Sequence, residues 1–153
     1  MGKVSTFEET EQVLAVYLDA DMFGIPIAQI QGVLETLPLT FVPLAPPAVK
    51  GVMNLRGRIV TAIDLRTSLS QLDKLNINPV QAHMSVVIED GGELYSLLVD
   101  RVGDVLTIPL SGIEEPPLTM NDAWKRVTAG VFPLRDKIMV ILKPAALLNA
   151  EEG

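Results

Sequence analysis

The chain has 153 residues, a formal net charge of −7 and no cysteine; 48% of its residues are hydrophobic and 20% charged. That is too apolar for a disordered chain and long enough to bury a core without disulfide or metal staples. The missing cysteines exclude a disulfide framework, a thiolate zinc site and a cysteine nucleophile, and the acidic balance argues against nucleic acid or an anionic membrane surface as the main partner. Residues 1–12 are polar and acidic with no signal-peptide core, and no apolar run approaches the roughly 18 residues of a membrane span, so a cytoplasmic protein without membrane insertion is expected. Residues 13–18, VLAVYL, form the first predicted strand, and MFGIPI at 22–27 is its hairpin partner across a turn at 19–21. Residues 28–47 follow with Pro38, Pro43, Pro46 and Pro47, a density that excludes helix and favours extended or edge segments. Two strands are predicted at 49–55 and 59–63, joined by Arg56-Gly57-Arg58, where Gly57 is free to take positive φ. Apolar residues at 65, 69, 72 and 75 have helical spacing; Asp64 can cap that helix, and residues 76–79 break it. Strands at 84–88 and 94–102 are separated by the turn EDGGE. A last pair is predicted at 127–134 and 138–142, before a short C-terminal helix, PAALLN, opened by Pro144. Such short, turn-punctuated strands predict a mainly β protein built from small barrels.

The chain also repeats itself. GVMNLRGRIVTAI at 51–63 aligns with GVFPLRDKIMVIL at 130–142, pairing Gly51 with Gly130, Leu55 with Leu134, Arg56 with Arg135 and Ile59 with Ile138. FGIPIAQIQGVL at 23–34 aligns with YSLLVDRVGDVL at 95–106, apolar on apolar. The offsets, 79 and 72, are reconciled by an insertion in the second half. Two copies of one β-unit are expected, each too small to be comfortable alone and sharing a core with the other.

Little in the sequence carries catalysis. His83 is the only histidine and has no nucleophile beside it. Phosphate-binding glycine motifs are absent. Asp19 and Asp21 resemble the start of a calcium loop but lack its later ligands. Glu114 and Glu115 are adjacent, so in an extended segment their side chains point apart. Trp124 is either a half-buried core ring or a partner anchor. No cofactor, metal or catalytic residue is predicted; surface binding is the expected trade, with Arg56 and Arg58 around Gly57 projecting at a turn.

The run Asn54-Leu55-Arg56-Gly57-Arg58-Ile59-Val60-Thr61-Ala62-Ile63-Asp64-Leu65-Arg66 resembles the signature of the CheW family, the coupling proteins of bacterial chemotaxis. FGIPI at 23–27, VKGV at 49–52 and VDRVGDV at 99–105 fall at the family's spacing, so the resemblance spans about residues 11–149. It implies two packed five-stranded SH3-like barrels, roughly 15–80 and 81–145 with strands free to cross between them, a short helix after the DLR motif and another at the C-terminus. It implies no enzyme but an adaptor that bridges a CheA-type histidine kinase, through the kinase's regulatory domain, to the cytoplasmic tip of a methyl-accepting chemoreceptor. The receptor-binding positions it implies are Ile27, Ile30, Gly32, Val33, Asn54, Leu55, Arg56, Gly57 and Val102; kinase-binding positions are not assigned. Two departures stand out: Gly32 replaces a usual Glu, and Thr61 a usual Pro. Gly32 alters the receptor-side charge pattern and suits a specialised system, such as one for type IV pilus motility.

Overall fold

The computed structural model describes residues 9–73 and 84–152. His83 and residues 75–79, the predicted end of the first helix, lie outside them. The chain runs β1 (Thr10–Leu18), β2 (Asp21–Pro26), β3 (Ile30–Glu35), β4 (Val49–Leu55), β5 (Arg58–Asp64), α1 (Leu65–Asp73), β6 (Met84–Asp90), β7 (Glu93–Val99), β8 (Arg101–Pro109), α2 (Asp122–Val127), β9 (Thr128–Pro133), β10 (Ile138–Leu142) and α3 (Pro144–Glu152). Two five-stranded sheets result, in the orders β8-β1-β2-β10-β9 and β3-β6-β7-β5-β4.

The repeat and the sheets obey different boundaries. In sequence the copies are β1–β5 and β6–β10. Neither copy closes its own sheet: β1 and β2 join β8, β9 and β10, while β6 and β7 join β3, β4 and β5. A division near residue 80 therefore separates the copies but not the sheets. Within this exchange the copies match closely. β5 pairs parallel with β7, and β10 parallel with β2. Leu55 faces Arg58 across a two-residue turn, and in the other copy the Leu134 amide donates to the Lys137 carbonyl at 2.7 Å, so Arg56 and Arg135 hold the same turn position. The pairing shifts by one residue at Lys50 in one hairpin and at Ala129 in the other.

Even the edges are treated alike. Thr40 pairs with Val52 on edge strand β4, and Glu114 with Val131 on edge strand β9, covering backbone groups that would otherwise invite pairing with another chain. The covering segments come so close that only glycine fits just before each bridge. A Cβ on Gly51 would lie 2.5 Å from the Thr40 carbonyl oxygen, and one on Gly130 would lie 2.5 Å from Ile113 Cγ2.

Each sheet has a small apolar interior of its own. Met53, Val60, Val87 and Leu94 fill one, helped by Leu37 and Leu39 from the proline-rich segment; Val13, Ala15, Met22, Ile108, Met139 and Ile141 fill the other. The larger cluster lies between the sheets, where Val16, Phe23, Ile25, Ile63, Val86, Ile88 and Leu97 meet Leu65, Leu69, Leu147 and Leu148 of α1 and α3. The two units are thus held together by the greater part of the apolar burial, the dominant favourable term in folding.

Three local expectations need correcting. The single strand predicted at 94–102 is two, ending in different sheets, with Asp100 at the break. The strand predicted from Val127 starts at Thr128, because residues 122–127 form α2. Asn121 caps that helix, its Oδ1 accepting from the Trp124 amide at 2.8 Å. The C-terminal helix continues beyond PAALLN to Glu152.

Candidate functional site

The predicted binding residues fall in two places. Ile27 lies in a 3-10 turn, Ile27–Gln29, that carries the chain from β2 in one sheet to β3 in the other. Ile30 begins β3 and Val102 lies near the start of β8; these are the outermost strands of the two sheets. Ile30 pairs with Ile88, and Val102 with Val16, the same position in the two copies. All three residues are half-buried and pack against the core shared by the sheets. They form an apolar strip at the seam, bordered by a cleft of about 500 Å³ where Ile27 and Ala28 face Thr10, Glu11 and Gln12. Val33 turns to solvent, 42% exposed. A Cβ on Gly32 would meet nothing within 4 Å, so sterics do not require glycine there.

Asn54, Leu55, Arg56 and Gly57 stand apart from that strip, at the tip of the β4–β5 hairpin. Arg56 has φ 52 and Gly57 φ 86, both left-handed, the conformation of a type I′ turn. Asn54 Oδ1 accepts from the Gly57 amide at 2.7 Å and holds the turn. Leu55 packs with the apolar interior of its sheet. Arg56 is exposed and makes no ion pair with any described residue; in particular, Glu35 does not reach it. The hairpins also leave Ile59 and its counterpart Ile138 exposed, at 64% and 59%.

The DLR motif has a structural reason. Asp64 Oδ1 accepts from the Thr67 amide at 2.9 Å and caps α1, and Leu65 is fully buried. Arg66 is the residue that sequence reasoning passed over. Its Nη2 lies 2.5 Å from Asp100 Oδ2 and 3.3 Å from Asp19 Oδ2. The charged neighbour of Asp19 is therefore an arginine. Beside this group Arg101 stacks over the Tyr17 ring, 3.8 Å from its centroid, with Lys137 at 6.0 Å. No sequence pattern pointed to these contacts, which join residues far apart in the chain.

Trp124 is half-buried against the shared core and lines a second cleft, of about 510 Å³, with Met22, Phe23, Met120 and Val140. Glu114 and Glu115 are exposed, and Glu114 acts through its backbone in covering β9. Among the described residues no group of three or more His, Cys, Asp or Glu is placed to hold a metal ion, and no helix is long and apolar enough to cross a membrane.

Residues 12–152 match the family model described as CheW-like domain. The chain belongs to the CheW family. Similar proteins include the chemotaxis protein CheW of Thermotoga maritima, 32% identical over 133 residues, covering 86% of this chain and 83% of that protein. A probable chemotaxis protein CheW of Rhizobium etli is 25% identical over 142 residues, covering 93% and 90%. Among solved structures, the scaffolding protein TtCheW of Thermoanaerobacter tengcongensis matches with a TM-score of 0.75 and 25% identity over 88% of this chain and 85% of that one. The two five-stranded sheets are accordingly the paired SH3-like barrels of the CheW fold, as the sequence signature implied.

Proposed function

We propose that this CheW-family protein is the adaptor that couples the cytoplasmic tip of a methyl-accepting chemoreceptor to a CheA-type histidine kinase, binding at the inner face of the membrane through the receptor. The observation that carries the reading is the strip of Ile27, Ile30 and Val102 at the seam. These side chains are half-buried, Ile30 and Val102 on outermost strands and Ile27 on the turn that leads into one, and all three are rooted in the shared core. A rigid apolar strip of this kind suits the apolar face of a helical hairpin. The exposed, unpaired Arg56 supplies a guanidinium for a partner carboxylate, which it can hold through two parallel hydrogen bonds. Ile59 and Ile138, exposed at equivalent hairpin positions, suit barrel-on-barrel contacts with the kinase's regulatory domain.

The test is a pair of titrations, one with a receptor-tip fragment and one with the kinase regulatory domain. Saturable binding to each, with the receptor arm lost on Ile30→Asp and the kinase arm kept, is the expected result. Absence of binding to both overturns the reading.

A further inference from the structure

The chain crosses from one barrel to the other in the same way twice, once from β2 to β3 and once from β7 to β8. The two crossovers are counterparts in the repeat, yet they are secured differently. At the β7–β8 crossover Asp100 is the connecting residue. Its carboxylate accepts from the Asp19 amide at 2.6 Å and from Arg66 Nη2 at 2.5 Å, and its own amide donates to the Tyr17 carbonyl at 3.1 Å. Arg66 belongs to α1, which follows β5 of one barrel, whereas Asp19 and Tyr17 belong to the β1–β2 hairpin of the other. The cluster therefore spans the two barrels at the root of β8.

At the β2–β3 crossover the repeat places Ala28 where Asp100 stands, Gly91 where Asp19 stands and Ala145 where Arg66 stands. All three charged members are replaced by residues that carry neither charge nor a hydrogen-bonding side chain. Among the described residues one crossover is tied by charge, and its counterpart has no equivalent charged cluster. The Arg66 and Asp100 side chains are only 13% and 20% exposed, so solvent and salt weaken their attraction far less than that of a surface pair.

We infer that Arg66, Asp100 and Asp19 form an inter-barrel latch that fixes β8, and with it Val102, relative to the barrel that carries β3, and so sets the width of the seam. Arg66 is a positioning residue in this scheme: it acts on the apolar strip through the seating of β8. Its place in the family signature beside Asp64 and Leu65 then serves the geometry of the seam as well as the fold of α1. The latch itself is independent of what occupies the seam; only its consequence for affinity rests on the receptor reading above.

The chain has no native cysteine, so two spin labels can be placed cleanly. Gln31→Cys on β3 and Asp104→Cys on β8, both exposed positions, report the separation of the two walls by pulsed electron resonance in the full chain. Removing Arg66 alone strands a largely buried carboxylate and endangers folding. The decisive variant is therefore Arg66→Ala with Asp100→Ala, which gives this crossover the side chains found at the other one. The expected result is a broader distance distribution whose mean moves by on the order of 1–2 Å, the scale of packed elements sliding past one another. Arg66→Lys keeps a cation at the cluster and should retain a distribution close to the parent's. Asp19→Gly removes only the outer carboxylate, at a turn position where the other copy has glycine, and should broaden the distribution less.

Without labels, the double variant should bind the receptor-tip fragment roughly tenfold more weakly, as when a tenth of the molecules hold the competent geometry. An unchanged distance distribution in a folded double variant overturns the latch, and so does a fall in Tm with no change in distance, since that is a purely local structural role. If the double variant fails to fold, an unchanged distribution in Asp19→Gly overturns it. A parent protein that ignores the receptor fragment overturns the receptor reading instead, and the distances still decide the latch.

Discussion

Arg56 carries two opposing effects that one set of variants separates. Its φ of 52 puts a β-carbon where the following carbonyl crowds it, at a cost of about 1–2 kcal/mol for an ordinary residue. The turn is type I′, for which Asn-Gly is the favoured pair, and Gly57 already supplies the second member. No described acid compensates the strain by pairing with the guanidinium. Arg56→Asn should therefore stabilise the fold by about 0.5–1 kcal/mol, because asparagine recovers part of the left-handed penalty. In a domain of this size that is a rise in Tm of roughly 1–4 °C. Arg56→Ala keeps both the β-carbon and the strain, so its Tm should stay within about 2 °C of the parent, as for most surface changes.

Binding should move the other way. If Arg56 holds a receptor carboxylate, both variants lose about 2 kcal/mol or more of receptor affinity, a factor of about 30. Arg56→Lys, which keeps the charge but not the planar fork, should fall between. The assay is calorimetric titration with a receptor-tip fragment beside thermal melts of the same samples, with the kinase regulatory domain as the contrasting ligand. Strain kept at an exposed residue is reasonable where that residue is used. Unchanged receptor affinity in Arg56→Ala would refute the binding argument. A drop of several degrees in Arg56→Asn would refute the strain argument and mean that the guanidinium is held internally.

Gly51→Ala should cost about 2–4 kcal/mol and lower Tm by roughly 5–15 °C, since the new methyl meets the Thr40 carbonyl and the residue's φ is 149; an unchanged melt would mean the covering segment is not held there. Gly32→Glu has open space and should fold normally, with Tm nearly unchanged, while receptor binding weakens because the new carboxylate puts a charge on β3 beside the apolar strip; equal affinity in both proteins would separate Gly32 from the receptor surface. Ile59→Ser and Ile138→Ser should each leave Tm nearly unaltered and weaken kinase-domain binding by about tenfold if the exposed hairpin faces are used. Chelator should change neither the melting curve nor partner binding; a loss of more than a few degrees would reveal a bound ion.

Much of this molecule is legible in its sequence because both copies say the same thing. The pairing of Arg56 with Arg135 and of Gly51 with Gly130 in sequence is the pairing of the hairpins in space. Periodicity and turn residues give most strands, because most are short and end at or just before Pro or Asp. Connectivity between sheets is another matter. Apolar runs such as VLAVYL do not state which sheet they enter, and 94–102 looks continuous although Asp100 divides it between barrels. The helix α2 was signalled by Asn121-Asp122, a cap and an acid in the first turn, but six residues are too few to show a period. The binding positions came from family resemblance; the structure adds that Leu55 and Asn54 also serve the hairpin itself, which no spacing rule distinguishes from contact with a partner. Ion pairs such as Arg66 with Asp100 are illegible because they depend on the strand exchange.

That exchange also explains why the two barrels meet at a seam. A copy cut at the repeat boundary would leave β1 and β2 without β8 and β10, and β3 without β6, so neither half keeps its sheet. The buried cluster between the sheets draws on strands of both copies and both terminal helices of the units, and it is larger than either barrel interior. The barrels are therefore bound to each other before any partner arrives, and an apolar strip rooted in that cluster loses little freedom on binding, which favours affinity. Two identical halves would present the same face twice. Here the copies differ: α2 belongs to one and the left-handed Arg56-Gly57 turn to the other, and the Arg66–Asp100 ion pair stands at one crossover where the repeat puts alanines at the other. Duplication supplies the shared core, and the departures from symmetry make the two faces of the molecule unlike, which the proposed coupling of two different partners requires.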